Sequence, residues 1–394
     1  MEYQETLRKL TIVFHDAGGG HRSTGLALRD MLASSWDVSL LNLQEVLDSL
    51  DVVHSVTGLH IQDTYNLILR KGWTRLSPQL LRALQRIIRL YHSRIVRVLR
   101  HHWSQNPADL VLSVIPHFNR ELAESLHGAE EVPFVTLLTD LADYPPHFWI
   151  ERESQYVIAG TERAKQQSLA LGHAPDHIFE TSGMVLKPRF YQEISINCAA
   201  ERQRHGLEPE CPTGIVLFGG HGSQVMVEIA KALDAGEAGV QLIMLCGHNA
   251  KLADGLKSLP TRKPILVEGF TSDVQYYMAL ADFFVGKPGP GSISEALQFH
   301  LPVIVERNAK TLPQERYNAE WITENGFGIV VNDFEREIAP AVRRLLEPAA
   351  FAEFRQSVNR YSNHALFEIP AILEHCVGAA KPCLERELLA PQIV

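Results

Sequence analysis

Apolar residues along this 394-residue chain fall into short runs, and between the runs they recur every three or four positions. The runs in the first half are Leu10–Phe14, Val38–Leu41, Leu110–Val114, Phe134–Leu138 and Tyr156–Ala159. Those in the second half are Gly214–Phe218, Gln241–Leu245, Ile265–Val267, Phe283–Val285, Val303–Val305 and Gly328–Val331. A continuous apolar run suits a strand covered on both faces, and the helically spaced stretches supply the covers. The alternation predicts parallel sheets flanked by helices, the α/β class. Because the series occurs twice, two doubly wound domains are expected. A polar, proline-bearing stretch near Lys187–Thr213 has no strand of its own and marks the break. The expected domains are 1–186 and 213–355, with a linker at 187–212. Helical patterns near Ala350–Tyr361 and Ile369–Val377 close the chain, and 356–394 are expected to pack back on the first domain.

Composition narrows the class. An apolar fraction of 45% and a charged fraction of 21% are those of a folded globular chain. The longest apolar runs, such as Val132–Leu138, are strand-sized and fall short of a bilayer span. Met1–Leu10 has no signal-peptide apolar segment, which predicts a cytoplasmic protein. The cysteines, at 198, 211, 246, 376 and 383, show neither zinc spacing nor a disulfide framework. Against a net charge of −9, Arg70–Trp103 carries nine Lys/Arg and no acid, so the other 360 residues carry −18. Nucleic acid is not an expected partner of so acidic a chain, whereas an anionic lipid surface stays open.

The first chemical motif is His15-Asp16-Ala17-Gly18-Gly19-Gly20-His21-Arg22-Ser23, which follows the first strand and opens a helix. Such a turn lies at the carboxyl end of a strand, where open α/β sheets bind ligands. A helix N-terminus disfavours added positive charge, so His21 is expected to stay neutral and able to take a proton. The second is Val285–Ala296, a strand feeding Lys287-Pro288-Gly289-Pro290-Gly291 and then Ser292-x-x-Glu295. Ser292 and Glu295 read as a capping box with the helix starting near Ser292. The glycines and prolines before it suit a diphosphate docked on the helix end, with Lys287 adding charge and Glu295 facing a ribose. The third is Leu312–Asn318, whose Gln314, Glu315 and Asn318 fall on one helical face and suit sugar hydroxyls. Gly220, His221, Gly222 and Ser223 form a fourth, weak Gly-rich turn, and Phe270-Thr271 sits in a fifth, where backbone groups could read a flat base. The sixth is Thr139–Trp149, with Asp140, His147 and Trp149 in a loop that reads equally as packing or as an acceptor site.

Taken together and in order, these motifs resemble the monogalactosyldiacylglycerol synthases and processive diacylglycerol glycosyltransferases of glycosyltransferase family 28. The resemblance rests on Asp16–Ser23 and on Lys287–Ala296 followed by Gln314-Glu315 and Asn318, and runs through nearly the whole length. It implies a GT-B fold, two Rossmann-like doubly wound parallel-sheet domains facing a central cleft, with inversion at the sugar carbon and no metal or other cofactor. By resemblance His21 is the candidate base, and Gly19, Gly20, Arg22, Asp140, His147 and Trp149 lie on the acceptor side. Gly289, Pro290, Gly291 and Ser292 match the diphosphate loop, Glu295 the ribose carboxylate, and Gln314 and Glu315 the sugar contacts. Phe270 and Thr271 fall where uracil is held. Two departures stand out. The family's His-Pro-x-Trp segment appears as Pro145-Pro146-His147-Phe148-Trp149, and Pro-Gly-Gln-Glu as Leu312-Pro313-Gln314-Glu315.

The implied activity is transfer of galactose or glucose from UDP-galactose or UDP-glucose to a lipid such as diacylglycerol. Open alternatives are another lipid-linked or small hydrophobic acceptor, a UDP-sugar epimerase or hydrolase, or a non-catalytic sensor. Pro78–Trp103 reads as one amphipathic helix. Leu80, Leu84, Ile87, Ile88, Tyr91, Ile95 and Val98 form its apolar stripe, expected to pack on the first sheet. Arg82, Arg86, Arg89, Arg97 and Arg100 lie opposite, facing water or an anionic membrane. Residues 52–74 are a candidate membrane-dipping segment, and the expected location is peripheral, at the inner face of the membrane.

Overall fold

The computed structural model describes residues 7–16, 20–48, 77–128, 132–145, 147–236, 238–309 and 311–380, with only the backbone of 77–84 and 379–380. Gly19, Pro146 and the 52–74 segment lie outside the described residues.

The apolar runs form two separate six-stranded sheets, each wholly parallel. In the first, β1 (Arg8–Phe14), β2 (Trp36–Asn42), β3 (Leu110–Ser113), β4 (Phe134–Leu137), β5 (Tyr156–Ala159) and β6 (Ile178–Glu180) stand in the order β2-β1-β3-β4-β5-β6. In the second, β7 (Thr213–Leu217), β8 (Gln241–Leu245), β9 (Ile265–Glu268), β10 (Phe283–Gly286), β11 (Val303–Glu306) and β12 (Gly328–Val331) stand in the order β12-β11-β10-β7-β8-β9. The second order is that of a dinucleotide-binding sheet. Eleven strands coincide with the apolar runs. The twelfth, β6, is three residues long and at most half-buried, so no apolar run announces it.

Each sheet has a place where strand order reverses: between β1 and β3 in the first, between β7 and β10 in the second. Loops leaving the carboxyl ends of neighbouring strands diverge there and open a crevice. The motifs singled out by the sequence sit at these two places. The loop after β1 leads into α1 (Gly20–Leu32), and the loop after β10 leads into the helix at Pro290–Gln298.

Contacts divide the chain into two compact units. The first holds β1 to β6, Gln79–Val185 and the segment from His364; the second holds Leu186–Asn363 together with residues 77–78. After α2 (Leu43–Asp48), the long helix α3 (Ser77–Gln105) lays Ile88, Ile95 and Leu99 into a core with Val13, Val111, Ile115 and Leu122. Its Arg86, Arg89, Arg97 and Arg100 are exposed, so the apolar stripe packs on the sheet as its spacing predicts. Among the described residues no helix is long and apolar enough to cross a membrane.

The 187–212 segment is not open chain. It carries a 3-10 turn (Pro188–Tyr191) and, after α4 (Asn119–Leu126) and α5 (Glu162–Leu171), helix α6 (Cys198–Arg204). The buried guanidinium of Arg202 bolts this segment to the second sheet. It donates to the Leu280 carbonyl (2.9 Å), the Pro209 carbonyl (3.1 Å) and Asp282 Oδ2 (2.9 Å). The second unit then runs through α7 (Val225–Ala235), α8 (Ala250–Lys257), α9 (Val274–Ala279), α10 (Pro290–Gln298), α11 (Arg316–Glu324), α12 (Phe334–Leu346) and α13 (Pro348–Arg360). Helix α14 (Ala365–Ala380) belongs to the first unit. Where the chain leaves and re-enters that unit, Ser182 Oγ accepts from the His364 amide (2.7 Å) and Glu368 Oε2 accepts from the Ser182 amide (2.8 Å).

Candidate functional site

In the first unit the carboxyl ends of β1, β3 and β4 gather around His21. Its Nδ1 lies 3.0 Å from Thr139 Oγ1, just past β4. The Val114 carbonyl, just past β3, hydrogen-bonds to the ring. A carbonyl can only accept, so the ring nitrogen facing it carries the hydrogen and the other holds a lone pair. Burial lowers the His21 pKa to about 4, with the Val114 bond opposing it. The imidazole is therefore neutral near pH 7, as expected. The leading cause is desolvation, whereas the sequence had suggested the helix end.

Two further imidazoles join it. Burial, with His21 and His117 adding repulsion, lowers His15 to about 3, and its Nδ1 is buried without a protein partner. Burial lowers His117 to about 4. His117 and Phe118 follow β3 with φ of 66° and 60°, the left-handed region that bulky residues rarely enter. Strain of about 1–3 kcal/mol at each such residue persists only where surrounding structure imposes it, and tends to mark functional loops. Sequence reasoning missed His117, because its weight comes from strand order rather than from neighbours in the chain.

The Thr139–Trp149 loop frames this group. Asp143 accepts from the amides of His147 (3.0 Å), Phe148 (2.9 Å) and Trp149 (2.7 Å). Burial nonetheless raises its pKa to about 6, these bonds opposing. Trp149 is fully buried, its Nε1 donating to Asp140 Oδ2 (2.9 Å) and its ring 5.8 Å from that of His21. It therefore offers no surface to an acceptor, contrary to the sequence reading, and acts as a wall that holds the imidazole. Asp140, 8% exposed, is tied up in that wall. Arg22 pairs with Asp16 at 3.2 Å on the surface, and His147 is half-buried on a left-handed turn. Gly20 begins α1, and a Cβ there would meet nothing.

In the second unit α10 begins at Pro290, with Gly289 as its N-cap and no side chain capping it. The expected start at Ser292 and the Ser292–Glu295 capping box are not formed. Proline at the first helical position fits its fixed φ and missing N–H. Ser292 Oγ instead donates to the Gly289 carbonyl (3.2 Å). Helix geometry leaves the Gly291 and Ser292 amides without an intrahelical partner. A Cβ on exposed Gly291 would meet nothing within 4 Å, so internal packing does not require glycine and an anion can approach the backbone.

The side chains around this helix end differ in part from expectation. Lys287 Nζ pairs with Glu315 Oε1 at 2.8 Å, so its charge is shared with a buried carboxylate. Gln314 and Glu315 lie in a 3-10 turn (Pro313–Glu315), not on the α-helix with Asn318. Asn318 is fully buried and donates to the Pro288 carbonyl (2.7 Å), bracing the loop. Glu295, one turn in, is raised to about 7 by burial, opposed by Lys187 and Arg189. Lys187 caps the 3-10 turn at Pro188–Tyr191 and Arg189 lies within it, and Phe190 of that turn packs against Phe299, 6.2 Å between rings. The two cations bring positive charge toward α10 from a segment that sequence reasoning had treated as a linker.

The loops after β7, β8 and β9 complete this edge. Gly219 and Gly222 have φ of 72° and 58°, and Ser223 turns the chain into α7. A Cβ on Gly220 would meet nothing within 4 Å. His221 is exposed, and Phe270 is a large ring left 64% exposed. Thr271 Oγ1 accepts from the Asp273 amide (3.0 Å) at the start of α9.

Residues 214–366 match the glycosyltransferase family 28 C-terminal domain. The chain is 26% identical over 363 residues to a chloroplastic monogalactosyldiacylglycerol synthase of Spinacia oleracea, covering 88% of this chain and 67% of that one. It spans about two thirds of the length of the curated relatives it matches. Among solved structures, the glycotransferase of kitacinnamycin superposes with a TM-score of 0.60 at 14% identity, covering 94% of this chain and all of that one. A UDP-GlcNAc 2-epimerase from Neisseria meningitidis bound to UDP-GlcNAc gives 0.58 at 14% identity, covering 93% and 100%. At such identity these likenesses bear on fold alone, which is GT-B.

Proposed function

We propose, from the premise that the chain is a glycosyltransferase of family 28, that it moves a hexose from a UDP-sugar to the hydroxyl of a lipid such as diacylglycerol. The carrying observation is the start of α10 at the second sheet's strand-order reversal, with uncapped amides and an open glycine. In this reading the diphosphate lies on those amides, Glu295 takes the ribose hydroxyls, and Gln314 with Glu315 faces the sugar. Lys187 and Arg189 add charge. Phe270 and Thr271 hold the base.

The acceptor oxygen attacks the anomeric carbon while the bond from that carbon to the diphosphate oxygen breaks. His21 takes the hydroxyl proton on the ring nitrogen that does not donate to Val114, and the configuration inverts. UDP departs with its developing charge met by helix amides, a fixed environment that needs no rearrangement as the bond breaks. Neutral His21, oriented by Val114 and Thr139, is in its proton-accepting form near pH 7, and a positioned base is worth about 10²–10⁴-fold. The exposed arginines of α3 give the lipid-bearing surface something to attract.

The test is incubation with UDP-galactose, UDP-glucose and UDP-N-acetylglucosamine, with and without diacylglycerol, reading UDP release and lipid product by mass spectrometry. The expected result is UDP release that depends on the lipid, with a glycolipid carrying one of the two hexoses. UDP release without lipid dependence, or an epimerised sugar with no transfer, overturns the reading.

A further inference from the structure

One aromatic ring stands at the end of each of three successive strands: His221 after β7, His248 after β8 and Phe270 after β9. The rings touch in series. His248 and Phe270 are stacked, centroids 4.0 Å apart and 15° from parallel, and His221 meets His248 edge-on at 6.1 Å and 82°. Phe270 is 64% exposed although His248 covers one of its faces, so the opposite face is open to solvent. An open phenyl face at the carboxyl edge of a nucleotide-binding sheet is a stacking surface for a flat base.

The backbone beneath His248 is locked. Its amide donates to the Gly220 carbonyl (2.8 Å). Gly247 has φ of 59°, and a Cβ there would run into that same carbonyl, so only glycine lets the two loops meet. Asn249 donates to the His221 carbonyl (3.3 Å) and accepts from the Leu252 amide (3.0 Å), capping α8. The Cys246 amide donates to the Glu268 carbonyl (2.8 Å), closing the register with β9. A ring on so fixed a backbone can hold an otherwise loose surface phenyl in one orientation.

We propose that His248 is a positioning residue of the donor site. It pins Phe270 from behind so that the nucleobase stacks on the open face of the phenyl. This rests on the reading of Phe270 as the base contact. An immobilised side chain whose ordering cost is met before binding improves affinity by about two- to twelvefold.

The test is a double-mutant cycle on UDP affinity by calorimetry, with His248→Ala, Phe270→Ala and the pair, plus His248→Phe and melting curves. Phe270→Ala is expected to weaken UDP by about 5- to 160-fold, the range of lost base stacking. His248→Ala is expected to weaken UDP by about two- to twelvefold when Phe270 is present and to have no effect when it is absent. His248→Phe is expected to restore binding, with melting unchanged throughout. An equal loss from His248→Ala in both backgrounds overturns the proposal, as does no loss in either or no rescue by phenylalanine. A Phe270→Ala protein that binds UDP like the parent sinks the base contact on which it rests. A parent chain with no affinity for UDP sinks the donor reading itself.

Discussion

A histidine can serve as a base near neutrality only if it is uncharged there and one nitrogen is free. His21 meets the first condition through burial; toward the second, the Val114 carbonyl fixes the ring hydrogen on one nitrogen and leaves the other its lone pair. His21→Ala is expected to slow transfer by about 10²–10⁴-fold while UDP affinity, measured by calorimetry, stays within twofold of the parent. Collapse of UDP binding would reassign the residue to the donor site. The pH dependence follows in sign. With a pKa lowered to about 4, the ring is in its basic form from pH 8 down to about 5, and its contribution is lost only as pH falls through about 4. The ratio of parent to His21→Ala kcat/KM should stay flat between pH 6 and 7, where an unperturbed histidine would titrate, whereas Glu295, raised to about 7, titrates in both proteins.

Elements make these residues effective, and here the sequence was legible to different depths. The strands were plain wherever both faces are buried, because continuous apolar runs such as Phe283–Val285 have few other uses. Strand β6 was not, since Ile178–Glu180 lies at a sheet edge and needs no apolar run. The start of α10 was misread because Ser292 and Glu295 have capping-box spacing, while proline two residues earlier had already begun the helix. His117 and His248 could not be found by spacing, since strand order brings their loops to the crevices, and Lys187 and Arg189 could not because the packing of Phe190 on Phe299 carries their turn toward α10. Asn318 shows how one helix serves another. Its amide nitrogen braces the Pro288 carbonyl ahead of α10, and Asn318→Ala leaves that carbonyl buried without a donor. The expected cost is about 1–3 kcal/mol of stability in a denaturant titration, together with weaker UDP binding. Lost stability with unchanged UDP affinity would mean that the bracing serves the fold alone.

At the scale of the molecule the chain combines acidic surroundings with one basic helix face. Arg86, Arg89, Arg97 and Arg100 of α3 are all exposed, while Ile88, Ile95 and Leu99 of the same helix are buried. Attraction of about 1 kcal/mol per arginine to an anionic leaflet supports peripheral attachment without any spanning segment. Flotation is expected to recover the protein with vesicles containing phosphatidylglycerol and not with neutral ones, and Arg86→Ala with Arg89→Ala is expected to cut recovery severalfold. Equal, negligible recovery with both vesicle types would remove the membrane from the reading.

The chain quits the first unit beside Ser182 and returns beside His364, and those two points are hydrogen-bonded neighbours. In modular terms, Leu186–Asn363, the bulk of the second unit, is a cassette plugged into a socket whose rims are these two points. A host whose socket ends already touch can be closed with a short linker, or refilled with another cassette, without stretching its own scaffold. On the proposed reading, nucleotide preference changes by wholesale exchange of the insert, leaving the half that carries His21 as it is.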